Sequence, residues 1–276
     1  MTERLSEINA RIEGIRELGT VVNAMRGIAG ARAQQARSGL VAVDLYAESL
    51  ADAIGRTLAL LPTSDNVPSS GQRFVVLFLA EQGFAGPFSR ALLDAAIADL
   101  RDDNVFIVGT RGAMLAMERG LKPLWQGAMP AHPASIPRFA DRLVEELYAR
   151  IASGEVGRLE AWYAQKGLKR RPLFPLDPKA FAKTRNGEAP LLNLKPSAVL
   201  ADLTADYIHA ELCAAALNAF AAENEARMEA MASAHREIDR QLQTLRARQR
   251  ILRQDEITDE IIELASGTAA RRRKRN

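Results

Sequence analysis

PSAVLADLTADYIHAELCAAALNAFAAENEARMEAMASAHREIDRQLQTLRARQRILRQDEITDEIIELASG, running from Pro196 to Gly267, has no proline after its first residue and no glycine before its last. It is dense in Ala, Leu, Glu and Arg, which lose little side-chain freedom in a helix. A single helix of this length would run roughly 100 Å at ~1.5 Å per residue, several times the width of a small domain. Most of it therefore cannot be buried in its own globule. Met228, Met231, His235, Ile238, Leu242, Leu245, Gln249 and Leu252 step alternately by three and four, the spacing of a coiled-coil seam. Arg227, Glu229, Arg236, Glu237, Arg240 and Arg246 lie on the charged faces between. His235 and Gln249 interrupt the seam and are expected to set register or face a partner.

Working outward, the seam needs a second helix, and the N-terminal segment supplies one. Leu5, Ile8, Ile12, Ile15, Val22 and Met25 repeat the same spacing across an expected helix from Ser6 to Leu61. Gly14, Gly19, Gly27 and Gly30 weaken it by ~1 kcal/mol each against alanine, which suggests close approach of another helix. Pro62, Ser64, Asp65, Asn66, Pro68, Ser69, Ser70 and Gly71 then read as a linker.

From Arg73 the pattern changes. Phe74–Leu79 and Asn104–Val108 are short apolar runs without helical period, expected as strands buried on both faces. A third strand is expected near Leu159–Ala164. Helices are expected over Phe88–Leu100, Thr110–Arg119 and Pro137–Ile151. Alternating strands and helices predict a small parallel, Rossmann-like sheet covered on both faces. Arg170–Pro190, rich in proline and basic residues, reads as a loop or edge ribbon. The expected organisation is thus α/β: helix 1–61, globular domain 72–190, long helix 196–270 and basic tail 271–276.

Composition narrows the function. The 276 residues are 47% hydrophobic and 26% charged, with net charge +3, as in a globular chain of one or two domains. No run reaches the ~18 apolar residues of a spanning helix. The N-terminus lacks the apolar region of a secretory signal, and Glu3, Glu7 and Glu13 make it too acidic for a transit peptide. The single cysteine, Cys213, excludes an internal disulfide and reads as a small core residue. Gln82-Gly83-Phe84-Ala85-Gly86-Pro87 and Gly109-Thr110-Arg111-Gly112 sit where phosphate loops sit. Neither has the three spaced glycines of a dinucleotide loop or the Gly-Lys-Ser/Thr of a P-loop. His132, His209 and His235 are far apart without companion cysteines, so no metal-ligand spacing emerges. The sequence predicts no catalytic residue, no cofactor and no metal.

Arg253-Gln254-Asp255-Glu256-Ile257-Thr258-Asp259-Glu260, continuing through Ile261 to Gly267, resembles the C-terminal signature of the gamma subunit of F-type ATP synthases. Ala226-Arg227-Met228-Glu229-Ala230-Met231 is similar to that family's Ala-Arg-Met-x-Ala-Met. Arg11-Ile12 and Ala24-Met25 fall where the family has Arg-Ile and Ala-Met, and Gln82–Gly86 looks like a divergent form of its central turn. Thr20-Val21-Val22, Arg250, His235-Arg236-Glu237, Thr268 and the basic tail depart from the usual pattern, and a regulatory two-cysteine insertion is absent.

The resemblance implies a non-catalytic rotor shaft inside a ring of alpha and beta subunits. An epsilon subunit and the membrane c-ring would be further partners, and the chain would lie peripherally on the cytoplasmic face of a bacterial membrane. It implies torque contacts at Met25, Arg253, Gln254, Thr258 and Glu260, with Met25 meeting the same surface as the C-terminal group. Two other readings stay open at this level. One is a stand-alone α/β enzyme with helical extensions. The other is a coiled-coil nucleic-acid binder using Arg271–Arg275, against which the missing aromatic interleaving argues.

Overall fold

The computed structural model describes residues 5–61, 71–100, 103–181 and 191–273. In chain order these form α1 (Leu5–Leu58), β1 (Gln72–Phe78), α2 (Phe88–Ala96), β2 (Asn104–Val108), α3 (Thr110–Glu118), β3 (Trp125–Gly127), α4 (Ile136–Ala152), β4 (Val156–Ala164), β5 (Leu168–Phe174) and α5 (Pro196–Arg273). The expected linker at Pro62–Ser70 and residues 182–190 lie outside the described residues. The chain divides into two compact units, one spanning Ile28–Met228 and the other combining Met1–Gly27 with Glu229–Asn276.

The larger unit is built on β1. Its run of apolar residues suits a central strand, and it pairs in parallel with β2 on one side and β4 on the other. The sheet order is β3-β2-β1-β4-β5. β3 joins β2 in parallel, whereas β5 runs antiparallel to β4, so the expectation of a parallel sheet is corrected to a mixed one. The basic segment begins inside β5, where Pro172 is tolerated because an edge strand does not need every N–H. β3 was not anticipated.

Strand side chains alternate between two cores. Val75, Leu77, Val105, Ile107 and Trp162 pack with Leu92, Leu93 and Ala96 of α2 and Ala113 and Ala116 of α3. Phe74, Val76, Phe78, Phe106 and Tyr163 point the other way. There they meet Phe139, Leu143 and Leu147 of α4, Ala36 of α1, and Ile208 to Ala221 of α5. Cys213 is buried in this second core, as expected of a small apolar residue. Burial pushes its thiol up to about 12, with Asp141 adding to the shift. At the β5 edge, Arg171 donates through Nε (2.9 Å) and Nη2 (2.5 Å) to the carboxylate of Glu211, which fastens α5 to the sheet. Tyr207 beside this pair is pushed up to about 12, first by burial and then by the Glu211 charge.

In the smaller unit α1 and α5 run antiparallel, with Asn9 against Gln249 and Gly19 against Ile238. Ile8, Ile12 and Val22 are buried against Met231, Ile238, Leu242 and Leu245, while Ile15, Met25 and Leu252 pack at the margin. This is the expected seam. The glycines divide: a Cβ on Gly19 would stand 3.2 Å from Ile238, but Gly14 and Gly27 have nothing within 4 Å. Close approach therefore explains Gly19 and not those two. Among the larger unit's contacts, Gly30 comes near Met228. Met228 itself is 40% exposed and does not belong to the seam cluster. α5 also runs on through Gly267 to Arg273, past its expected end.

Candidate functional site

Helix periodicity and the pairing register fix what α5 shows to its surroundings. Its last seam residue is Leu252, and Arg253 through Leu264 are all exposed. At ~100° per residue, Arg253, Gln254, Ile257, Thr258, Glu260, Ile261 and Leu264 share one side of the helix. Asp255, Glu256, Asp259, Ile262 and Glu263 occupy the other. Ile257 is 50%, Ile261 60% and Leu264 70% exposed, an unusual density of bare aliphatic side chains for one helix end. Thr258 spends its hydroxyl hydrogen on the Gln254 carbonyl, 2.8 Å away, leaving its oxygen free to accept.

The structure groups four of the five expected contact residues and separates the fifth. Because Gln249 lies against Asn9, Arg253 falls beside the first turn of α1. Met25 lies about 20 residues farther along, roughly 30 Å by helical rise. It is half-buried in the seam beside Met231. Met25 and Arg253 therefore stand at different levels of the helix pair.

A second polar group escaped sequence reading. Glu223 is 3% and Arg227 6% exposed, although Arg227 had been placed on a charged outer face. The Glu223 carboxylate accepts the backbone N–H groups of Glu81 (3.1 Å) and Gln82 (3.2 Å). Arg227 donates to Glu223, to Asn224 Oδ1 (3.1 Å), and to the carbonyls of Gln82 (3.3 Å) and Gly83 (3.1 Å). Glu81 completes the arrangement by accepting from Thr110 N–H, Thr110 Oγ1 and Met129 N–H, each at 2.9 Å. The available sequence signal was a Glu–Arg pair at i,i+4 directly after the apolar run Ala219–Ala222.

This clasp lies at the carboxyl ends of β1 and β4, where the strand order reverses and open α/β sheets bind nucleotides. Here α5 itself fills the crevice, with Asn218 hydrogen-bonded to Gln165 after β4 and Arg227 to the turn after β1. The glycines of the second loop have steric reasons of their own. Gly109 has φ of 113°, and a Cβ there would strike the Leu79 carbonyl at 2.3 Å. A cleft of about 370 Å³ remains between the starts of α2 and α3, lined by Phe84, Arg90, Arg111 and Glu118. Among the described residues no cluster of three or more His, Cys, Asp or Glu could hold a metal ion. No helix there is long and apolar enough to cross a membrane.

The profile of a family described as ATP synthase matches residues 4–270. The chain belongs to that family. Its curated relatives include the ATP synthase gamma chains of Pelodictyon phaeoclathratiforme and Streptomyces griseus. The first is 27% identical, covering 96% of this chain and 98% of the relative, and the second 28%, covering 98% and 97%. Among solved structures, a chain of the Euglena gracilis mitochondrial ATP synthase rotor superposes with a TM-score of 0.61 at 12% identity, covering 92% of this chain and 98% of that one. A chain in the OSCP/F1/c-ring assembly of the same organism reaches 0.66 at 14% identity, covering 96% and 94%. These two likenesses carry the fold: the ATP synthase family member described here pairs long terminal helices with a central α/β sheet. The stand-alone-enzyme reading meets both the family match and a filled crevice. The side chains of the Arg271–Arg275 tail lie outside the described residues.

Proposed function

We propose that this chain is the central rotor shaft, the gamma subunit, of a membrane-bound F-type ATP synthase, and that it performs no catalysis itself. The observation that carries this reading is the antiparallel α1–α5 seam ending in an exposed α5 tip, on a chain matched along nearly its whole length by gamma chains. A shaft needs stiffness and an attachment, and it has little use for a reactive pocket. The seam supplies stiffness. The Glu223–Arg227 clasp and the Arg171–Glu211 pair fasten α5 to its sheet at two points, so the helix and sheet of that unit turn together.

In this reading the tip sits inside a hexamer of alpha and beta subunits, and the globular unit rests on the membrane c-ring with an epsilon subunit beside it. The chain is then peripheral, on the cytoplasmic face of a bacterial membrane. Arg253, Gln254, Thr258 and Glu260 are the torque contacts with one level of the hexamer, and Met25 with another. The assignment is tested by affinity purification of the tagged chain from detergent-solubilised membranes. Alpha, beta and c-ring subunits should come with it in ATP-hydrolysing particles. Recovery of the chain alone, or with unrelated proteins, would overturn it.

A further inference from the structure

The cleft of about 370 Å³ between the starts of α2 and α3 holds three features that packing does not explain. Arg90 and Arg111 stand in the first turns of these helices, where the helix dipole disfavours a cation, and neither first turn carries an acid. Both are exposed, and among the described residues neither has an ion-pair partner. Phe84 is 69% exposed with φ of 62°, a backbone region that a bulky side chain rarely adopts. Ser89 is 8% exposed and its Oγ accepts the Ala80 N–H at 3.0 Å, while its hydroxyl hydrogen has no acceptor among the described residues. The turn between β1 and α2 is also shaped for an anion. φ is positive at Phe84 (62°) and Gly86 (55°) and negative at Gly83 and Ala85, the alternation that gathers backbone N–H groups into a concave nest. Arg227 holds the Gly83 carbonyl, so across the trans peptide the Phe84 N–H points away from α5. Among the described residues, the N–H groups of Phe84 and Gly86 have no acceptor.

We propose that this cleft binds a nucleoside diphosphate. The phosphates take the bare N–H groups, the Ser89 hydroxyl and the planar donor pairs of Arg90 and Arg111. Arg111, Met114 and Glu118 share one face of α3, with Glu118 two turns and roughly 10 Å beyond Arg111. That span suits the reach from the phosphates to the ribose, whose hydroxyls donate to Glu118. Phe84 gives the base an aromatic face and Met114 a polarisable one. A bare anion or an acidic peptide fits less well, since Glu118 repels further negative charge and the Phe84 ring is left unused. Such binding goes beyond the shaft reading and does not depend on it.

Equilibrium dialysis of radiolabelled ADP against the purified full-length chain, free of other subunits, tests this. Saturable binding of one ADP per chain is expected. The double variant Arg90→Gln/Arg111→Gln should weaken it about tenfold or more, and the off-cleft variant Arg138→Gln should leave it unchanged. Phe84→Ala should weaken ADP roughly tenfold yet leave binding of inorganic diphosphate, the second probe, unaffected. Helical circular dichroism of each variant separates loss of the site from loss of the fold. In the whole complex, photolabelling with 2-azido-ADP should mark a peptide of this chain that contains Phe84 or Met114. Absence of saturable ADP binding to the unaltered chain, together with no label on this chain in the complex, overturns the proposal. Diphosphate binding as tightly as ADP, with Phe84→Ala silent for both, makes the cleft a plain anion site and also overturns it. Neither result touches the shaft assignment, which fails separately if alpha and beta subunits do not copurify with the chain.

Discussion

Replacing Arg227 by methionine removes the guanidinium while keeping most of the side-chain volume, so the change isolates the clasp. The Gln82 and Gly83 carbonyls it served belong to exposed residues and can turn to water. Glu223 cannot, being 3% exposed, and Asn224 at 2% loses a donor to its Oδ1. Stripping one partner from a buried ion pair costs ~3–5 kcal/mol. Glu223 keeps two backbone N–H donors, which stabilise its charge and place the expected loss near ~3 kcal/mol. Both tryptophans, Trp125 and Trp162, lie in this unit, so urea unfolding followed by tryptophan fluorescence reads it directly. The double variant Glu223→Leu/Arg227→Met removes the stranded charge and should recover more than half of the loss. A single-variant loss below ~1 kcal/mol would show that Glu223 gains little from Arg227, and the clasp would not be the fastening described.

Gly14→Ala and Gly27→Ala should each stabilise α1 by up to ~1 kcal/mol, since the new methyl meets open space, whereas Gly19→Leu should open the seam at Ile238. Thermal unfolding followed by helical circular dichroism distinguishes these, and equal effects at the three positions would refute the packing described. The Cys213 thiol is raised from 9.0 to about 12, so the folded chain holds that proton longer than the unfolded one. The resulting stability is complete below pH ~9 and is lost as pH rises towards ~12, at no more than ~1.4 kcal/mol per pH unit. Cys213→Ala should flatten that slope in alkaline denaturation, and the native thiol should resist alkylation at neutral pH. Arg253→Ala and Gln254→Leu should lower ATP synthesis and coupled hydrolysis in the assembled complex with helical content unchanged, each lost contact being worth ~1.5–3 kcal/mol where a charge takes part. Unaltered coupled rates in both variants would move the torque contacts elsewhere.

The elements most legible in the sequence were those whose cause is local. α5 follows from propensity and absent breakers, α1 from its seam spacing despite its glycines, and β2 was bounded correctly because Val105–Val108 is an unbroken apolar run that Asn104 opens. β3 was illegible: Trp125-Gln126-Gly127 is three residues long and is a strand only because β2 lies beside it. β5 was half-legible, since Arg170–Pro190 read as a loop or edge ribbon and left Leu168 and Lys169 outside it. In fact Arg170 stacks over Trp162 at 4.3 Å and Arg171 reaches Glu211. The clasp was legible only as a Glu–Arg pair at i,i+4, because the groups that satisfy Glu223 are backbone amides about 140 residues away. The exposed contact residues on α5 were the reverse case. Nothing in their local chemistry marks them, and only the family resemblance singled them out.

The two sides of the α5 tip differ as strongly as two poles. One carries Ile257, Ile261 and Leu264 with Arg253, Gln254, Thr258 and a single acid, Glu260, and the other carries four acids and Ile262. A uniformly greasy cylinder would feel the same to its surroundings at every angle. A rod with one oily, hydrogen-bonding side and one acidic side gives each subunit of a ring a different environment at any instant. In the proposed assembly, angular position would thus be written into the tip as a pattern of solvation and charge. Exchanging Asp255, Glu256, Asp259 and Glu263 for glutamine would erase that compass without shortening the shaft.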